Sequence, residues 1–156
     1  MLATASFRDG ESSYTGTEDT FLELLGPANN NAADTTIYAG RSGTYDPFQI
    51  LFKFNDIVGA GVGQIPQGST INSVTLTLTI TAQSTFTNPT FSIYRMLESW
   101  SDTTTWSTMG GGGGVDGSEA RLTADVTLAE SGNKTYTVGS TAALVASVQA
   151  WVSERV

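Results

Sequence analysis

A run of strict two-residue alternation between residues 70 and 81 constrains the fold more than any other feature. In its centre, Val74, Leu76, Leu78 and Ile80 alternate with threonines. Successive side chains of a β-strand point to opposite faces, so this spacing predicts a strand with one buried apolar face. Threonine suits the exposed face because its branched β-carbon fits a pleated surface.

The rest of the chain repeats this kind of pattern in shorter segments. Residues 48–54 place Phe48, Ile50, Phe52 and Phe54 on one predicted strand face. Further strands are predicted at residues 4–8, 20–24, 35–38, 90–95, 121–126 and 135–138, separated by turns rich in Gly, Pro and Asn. Many short strands with such turns indicate an all-β fold, an antiparallel β-sandwich of jelly-roll type.

One helix is predicted near the C-terminal end. Ser140 or Thr141 can cap its N-terminus with a side-chain oxygen. Apolar residues then recur at three- and four-residue spacing, as on the buried stripe of a helix: Leu144, Val145, Val148, Trp151 and Val152. The 156 residues fit a single domain over 1–156.

Five consecutive glycines, Gly110–Gly114, interrupt the strand pattern. A run of this kind disfavours regular structure, because glycine loses the most backbone entropy on ordering. We interpret it as a tolerant surface loop. A phosphate cradle is the alternative, but no lysine follows and no helix pattern begins there.

Composition excludes several functions. The chain has 7 Lys+Arg against 15 Asp+Glu, a net charge of −8, and neither His nor Cys. So few cations cannot supply a nucleic-acid footprint. Without His and Cys, Ser-His-Asp catalysis and the commonest zinc sites are unavailable. No apolar stretch approaches the ~20 residues of a membrane span, so no membrane insertion is expected. No spacing sets two carboxylates across a cleft for glycosidase chemistry.

Several segments resemble, in order along the chain, the DNRLRE-domain family. They are Ala5–Gly10, Tyr14–Thr20, Pro27–Asn30, Ile50–Ile57, Ile93–Ser101, Thr105–Ser107 and Val148–Val152. The resemblance implies a jelly-roll, carbohydrate-binding-module-like domain of a large extracellular protein, without catalytic activity. Some members bind polysaccharides, including alginate. Two positions depart from the family pattern: Lys53 and Asn55 stand where the family strand carries Arg and Asp. Family members also continue past the helix with another strand, so we expect the domain to lack its last strand or to continue in a longer chain.

A cation site is the first candidate. The carboxylates of Asp9, Glu11, Glu18 and Asp19 fall within eleven residues, among Gly, Ser and Thr. Ca²⁺ prefers such oxygen ligands, so it is the one cofactor that the sequence suggests. Acidic residues at turns also serve as turn formers or caps, and that alternative stays open.

A ligand-binding surface is the second candidate. Sugar rings stack on exposed aromatic side chains while polar neighbours orient the hydroxyl groups. Trp100 and Trp106 recur in the resembled family and are expected to be core or loop-pinning residues. The predicted ligand-binding residues are therefore Tyr14, Tyr38, Tyr45, Lys53 and Arg95, with Lys53 and Arg95 placed in a charged cluster near Glu98 or Asp102.

Two functions follow as hypotheses. The first is a non-catalytic polysaccharide-binding or adhesion module. The second is a structural or decoration component of a virion or filament, acting through protein–protein contacts and strand-completed homo-oligomerisation. The first residues lack the basic and apolar regions of a signal peptide. Both hypotheses place the protein outside the cell or on a particle surface.

Overall fold

The computed structural model describes residues 3–42, 46–82, 90–129 and 132–154. The strands are β1 (Thr17–Glu23), β2 (Gly40–Ser42), β3 (Asp46–Phe54), β4 (Leu76–Ile80), β5 (Thr90–Ile93), β6 (Val126–Ala129) and β7 (Lys134–Val138), and the one helix, α1, covers Ala142–Glu154. The structure thus confirms a fold of strands with a single C-terminal helix. In the part of the chain that it describes, no helix is long and apolar enough to cross a membrane.

The strands form three small antiparallel sheets. β3 lies between β1 and β2, while β4 pairs with β7 and β5 pairs with β6. Each two-stranded sheet therefore has two outer edges at which the described residues provide no further strand. Such edges present backbone N–H and C=O groups that can pair with another chain.

Strand β3 is packed on both faces, which the alternation did not predict. Its predicted core face, which carries Phe52, is only half-buried. The most buried residue is Leu51, on the opposite face and 3 % exposed. Trp106 and Met109, from the long connection between β5 and β6, cover that face. The expectation of one buried face was wrong here because a loop distant in sequence supplies a second apolar layer.

The buried residues form two separate clusters. The first joins Leu22 and Leu51 to Trp106 and Met109, with Met96, Trp100 and Val115 packed around them. The second joins Val126, Val138 and Leu144, with Val74, Leu76 and Ile93 packed around them. Trp106 is buried in the first cluster and Trp100 is partly buried against it, in agreement with the prediction that these are core or loop-pinning residues.

Helix α1 begins as its sequence predicts. The Thr141 hydroxyl accepts a hydrogen bond from the Leu144 amide at 3.0 Å, which identifies Thr141 as the N-cap. Ser140 instead accepts a hydrogen bond from the Val74 amide at 3.1 Å. Leu144, Val148 and Val152 are buried, but Trp151 is 37 % exposed, so its predicted packing role is only partly fulfilled.

Three predicted strands were misplaced. Residues 4–8 and 35–38 lie outside any strand, and β2 forms at 40–42 instead. The segment predicted at 121–126 becomes a strand only from Val126 onward. Local alternation shows that a segment suits a strand, but a neighbouring backbone must be available to pair with it.

The glycine run forms a defined turn and not the tolerant loop that we expected. Its first residues belong to a short 3₁₀ turn, Met109–Gly111, and Gly112 and Gly114 both have positive φ. Gly114 is buried, and a Cβ built there would lie 2.8 Å from Gln49 Oε1. Only glycine satisfies both the backbone conformation and this close approach.

Candidate functional site

Lys53 and Glu18 face each other across strands β1 and β3. Lys53 Nζ lies 2.9 Å from Glu18 Oε2, and it also donates a hydrogen bond to the Trp100 carbonyl at 2.9 Å. The same ammonium sits 4.6 Å from the centre of the Trp100 ring, a cation–π arrangement. The predicted ligand-binding lysine is therefore engaged inside the protein.

The Glu18 carboxylate accepts hydrogen bonds from two further groups. The Asn55 side chain donates at 3.0 Å and the Asp102 amide at 2.7 Å. Burial raises the pKa of Glu18, but the hydrogen bonds and charge of Lys53, with those from Asn55 and Asp102, outweigh it and hold the pKa below its ordinary value. These contacts, which we call the Glu18–Lys53 clamp, tie the loop around Trp100 to the sheet.

The four acids of the predicted cation site have separate environments. Glu11 pairs with Arg8 at 2.8 Å, and Asp9 accepts a 3.4 Å hydrogen bond from the Thr17 amide. Asp19 is half-buried and pairs in register with Phe52 of β3. Among the described residues, no group of three or more acids could hold a metal ion. The calcium site remains a sequence prediction without support from this geometry.

Tyr14, Arg95 and Tyr45 complete the predicted set. The Tyr14 hydroxyl donates to the Asn55 carbonyl at 2.9 Å, and its ring packs edge-on against Phe7. Burial and, after it, the negative charges of Asp9 and Asp56 raise the pKa of Tyr14. Arg95 is half-buried just after β5, where its carbonyl accepts a hydrogen bond from the Arg121 amide. Tyr45 lies outside the described residues.

Tyr38 is the predicted aromatic residue that the structure leaves most open, at 52 % exposed. Its ring packs edge-on against Phe21, with centroids 5.2 Å apart, and lies tilted against Phe48, with centroids 6.1 Å apart. Asp34, Thr35 and Thr36 line a cavity of about 310 Å³ together with it. The lining of this cavity is mainly polar and includes one carboxylate and two hydroxyl-bearing residues.

A much larger cleft separates the sheets. Its volume is about 3920 Å³, whereas small-molecule pockets span roughly 300–1,000 Å³. Apolar side chains from all three sheets and from α1 contribute to its walls, including Ile50, Phe52, Leu78, Phe91, Leu128 and Leu144. Most of these side chains are only half-buried. The cleft has the size and lining to accommodate polypeptide.

Two further polar residues organise the loop between β5 and β6, and sequence reasoning missed both. Gln49 exchanges two hydrogen bonds with the backbone of Val115, at 2.7 and 2.8 Å. The Glu119 carboxylate accepts hydrogen bonds from the amides of Gly117 and Asp116. The hydrogen bond from its own amide, followed by those from Gly117 and Asp116, lowers the pKa of Glu119. No local motif links Gln49 to Val115, because 66 positions separate them.

Comparisons with family models, with curated proteins and with solved structures find no match to this chain.

Proposed function

We propose that the chain is a non-catalytic structural module of a virion, filament or other surface assembly outside the cell, and that further copies of the chain complete its open cleft. The carrying observation is the cleft of about 3920 Å³ between the sheets, lined by half-buried apolar side chains. Contiguous open apolar surface of this kind marks an interaction site on a folded protein.

Strand addition suits this cleft better than docking of a compact surface. β4, β5, β6 and β7 each have only one strand partner in the described chain. An incoming extended segment can pair with such an edge and place every second side chain on the apolar face. Under this proposal, the added strands close the three sheets into the jelly-roll sandwich that the sequence suggests.

Burial of apolar surface favours closure of the cleft, whereas the charge of the copies opposes it. Burying apolar surface yields about 25 cal/mol per Å². Two copies that each carry a charge of −8 repel each other. Because salt screens this repulsion, the proposed association strengthens as the ionic strength rises.

Light scattering on the purified chain tests this proposal, with a matched pair of variants in β4. Leu78 is half-buried opposite Tyr136, while the next residue, Thr79, is exposed on the other face. We expect the parent chain and Thr79→Glu to form oligomers and Leu78→Glu to be monomeric. Circular dichroism checks that both variants retain their secondary structure. A parent chain that stays monomeric at high salt and high concentration contradicts the proposal.

The polysaccharide-binding or adhesion module is a second candidate, favoured by one observation. Tyr38 is 52 % exposed beside a polar cavity, although Tyr14 and Lys53 are engaged within the protein. Thr36 and Tyr38 also line the large cleft, so a chain that fills the cleft would compete with a ligand at this loop.

A further inference from the structure

We infer that residues 3–8 of one copy add as a strand to the free edge of β4 in a second copy. This inference rests on the proposed function and names the segment that enters the cleft. Apolar side chains at positions 3, 5 and 7 alternate with polar ones at positions 4, 6 and 8. This alternation is the pattern of a strand with one apolar face.

The segment has strand character but no strand partner in its own chain. In the described chain, residues 3–8 belong to no strand, and all of them except Phe7 are exposed. The Arg8 carbonyl accepts a hydrogen bond from the Glu11 amide at 3.0 Å, and the Phe7 ring packs edge-on against Tyr14. This turn ties the segment to the start of β1, whereas β4 belongs to a different sheet. The segment is therefore available to pair with a second copy.

The free edge of β4 opens into the cleft. β7 covers one edge of β4, and no described strand pairs with the other. Residues from both faces of β4 line the cleft, including Leu78 and Thr77, whereas Thr135 is the one residue of β7 that does so. The cleft therefore reaches around the uncovered edge of β4. That edge presents backbone N–H and C=O groups to an incoming strand.

The side-chain alternation restricts the register of the added strand. We take the pairing as antiparallel, like that of every sheet in the described chain. When Phe7 lies opposite Leu76, the apolar side chains of both strands share one face and all five residues of β4 are paired. Ser6 then lies opposite Thr77 on the other face. A slip by one residue would turn Phe7 away from the apolar face.

Charge complementarity favours this segment as the donor. Residues 3–8 contain one cation, Arg8, and no acid, whereas the whole chain carries a charge of −8. The segment is therefore attracted to a second copy even though the two chains as wholes repel each other. In the described chain, Arg8 pairs with Glu11 at 2.8 Å, and both side chains are exposed. Such a surface pair contributes little and does not hold the segment back.

Disulfide cross-linking tests the register, because the parent chain has no Cys. Ser6→Cys and Thr77→Cys are prepared as separate chains, one of them isotope-labelled, and are mixed and mildly oxidised where the parent chain forms oligomers. Ser92→Cys replaces Thr77→Cys in the matched control, since Ser92 is exposed on β5, whose edge is also open. Directly opposed residues are close enough for a disulfide. We expect at least tenfold more mixed disulfide with Thr77→Cys than with Ser92→Cys.

A proline variant tests the backbone pairing. Ala5→Pro/Ser6→Pro removes two consecutive amides, one of which faces β4 in any register, because successive residues of a strand direct their N–H groups to opposite sides. We expect light scattering to show association at least tenfold weaker than in the parent chain. Ser6→Ala keeps both amides and should associate within twofold of the parent chain. Circular dichroism should be unchanged, because the segment lies outside any strand in the single chain.

The outcomes separate this inference from the proposed function. Oligomers that form equally well with Ala5→Pro/Ser6→Pro overturn the donor segment but leave association through the cleft standing. Preferential cross-linking to Ser92→Cys overturns the choice of β4 as the acceptor. A chain carrying both Ser6→Cys and Thr77→Cys that closes its disulfide as a monomer assigns the strand to its own chain and overturns the exchange. A parent chain that never associates overturns the inference and the proposed function together.

Discussion

Glu18 and Lys53 hold the loop around Trp100 against the sheet through charge-assisted hydrogen bonds. The loss of one charge in such a network leaves the remaining partners partly desolvated and unsatisfied. Both side chains are less than one-third exposed, so water compensates only partly for a lost contact. The Glu18–Lys53 clamp therefore contributes more to the free energy of unfolding than a fully exposed surface ion pair does.

Glu18→Gln is expected to lower the free energy of unfolding by roughly 1–2 kcal/mol at neutral pH, because neutral amide contacts replace charge-assisted hydrogen bonds. Urea unfolding at pH 7 measures this change. Glu11→Gln is the matched control, since it removes an exposed pair with Arg8 and should change stability little. An equal loss of stability in the two variants would contradict the clamp.

The difference in unfolding free energy between the parent chain and Glu18→Gln should depend on pH. The pKa of Glu18 is lower in the folded state than its ordinary value near 4.5, so the folded state holds the proton less tightly than the unfolded state does. The stabilisation is complete above that ordinary value and is lost as the pH falls through the lowered pKa. Unfolding curves measured at decreasing pH should therefore converge for the parent chain and Glu18→Gln.

At the scale of single residues, the sequence indicates which side chains stand out chemically better than it indicates which residues they contact. Lys53 and Glu18 both stand out as functional candidates, yet they bind each other because the β1–β3 register places them opposite. That register depends on the pairing of segments about 35 positions apart in the chain, and neither segment specifies it alone. The exposure of Tyr38, in contrast, agrees with its prediction from the aromatic pattern.

Helix α1 is the element whose sequence signals are most complete. Its cap and its apolar spacing lie within 16 consecutive positions, 139–154, so no distant contact is needed to recognise it. Thr141 also links the helix to the sheets, because its hydroxyl donates to the Asp125 carbonyl at 2.6 Å. The cap thus serves both the helix and its attachment.

Thr141→Ala is expected to lower the free energy of unfolding by roughly 1–2 kcal/mol, since it removes the N-cap acceptor and the bond to Asp125 together. Thr141→Ser keeps the hydroxyl and should retain most of the stability. Thermal unfolding of the two variants, followed by circular dichroism at the helical band, makes the comparison. Equal destabilisation would show that the threonine methyl group, and not the hydroxyl, matters at this position.

Strands are recognised less completely than the helix because their stability depends on neighbours. β3 forms where predicted, β4 covers only Leu76–Ile80 of the predicted residues 70–81, and the predicted strand at residues 4–8 lies outside any strand. Their amides would need an edge to pair with, and local sequence does not specify one. The same dependence leaves β4 and β5 with open edges, which the proposed association uses.

At the scale of the whole molecule, the alternation predicts which side chains belong to the core face of a strand. It does not predict whether the sheets pack against each other. Phe52 and Leu78 both belong to predicted core faces, and both line the open cleft. A fold of strands with one C-terminal helix follows from the sequence, whereas the proposed closure of the sheets into a sandwich depends on what fills the space between them. That occupant is another molecule under the proposed function, so the sequence of one chain does not show the closed state.

The two buried clusters lead to a prediction about cooperativity. Met109 belongs to the cluster on β1 and β3, and Leu144 belongs to the cluster between α1, β6 and β7. Met109→Ala and Leu144→Ala each remove a buried side chain, at a cost of about 2–5 kcal/mol. Because the cleft separates the clusters, each cost should fall mainly on its own cluster.

Native-state hydrogen exchange on the monomer resolves the two effects, because local opening reports the stability of each cluster separately. Met109→Ala should accelerate exchange of the β1 and β3 amides, and Leu144→Ala that of β6, β7 and α1. Oligomeric samples should show each variant affecting both clusters, since strands added in the cleft join them. Uniform acceleration already in the monomer would mean that the clusters unfold as one unit, and that the open cleft does not divide the molecule.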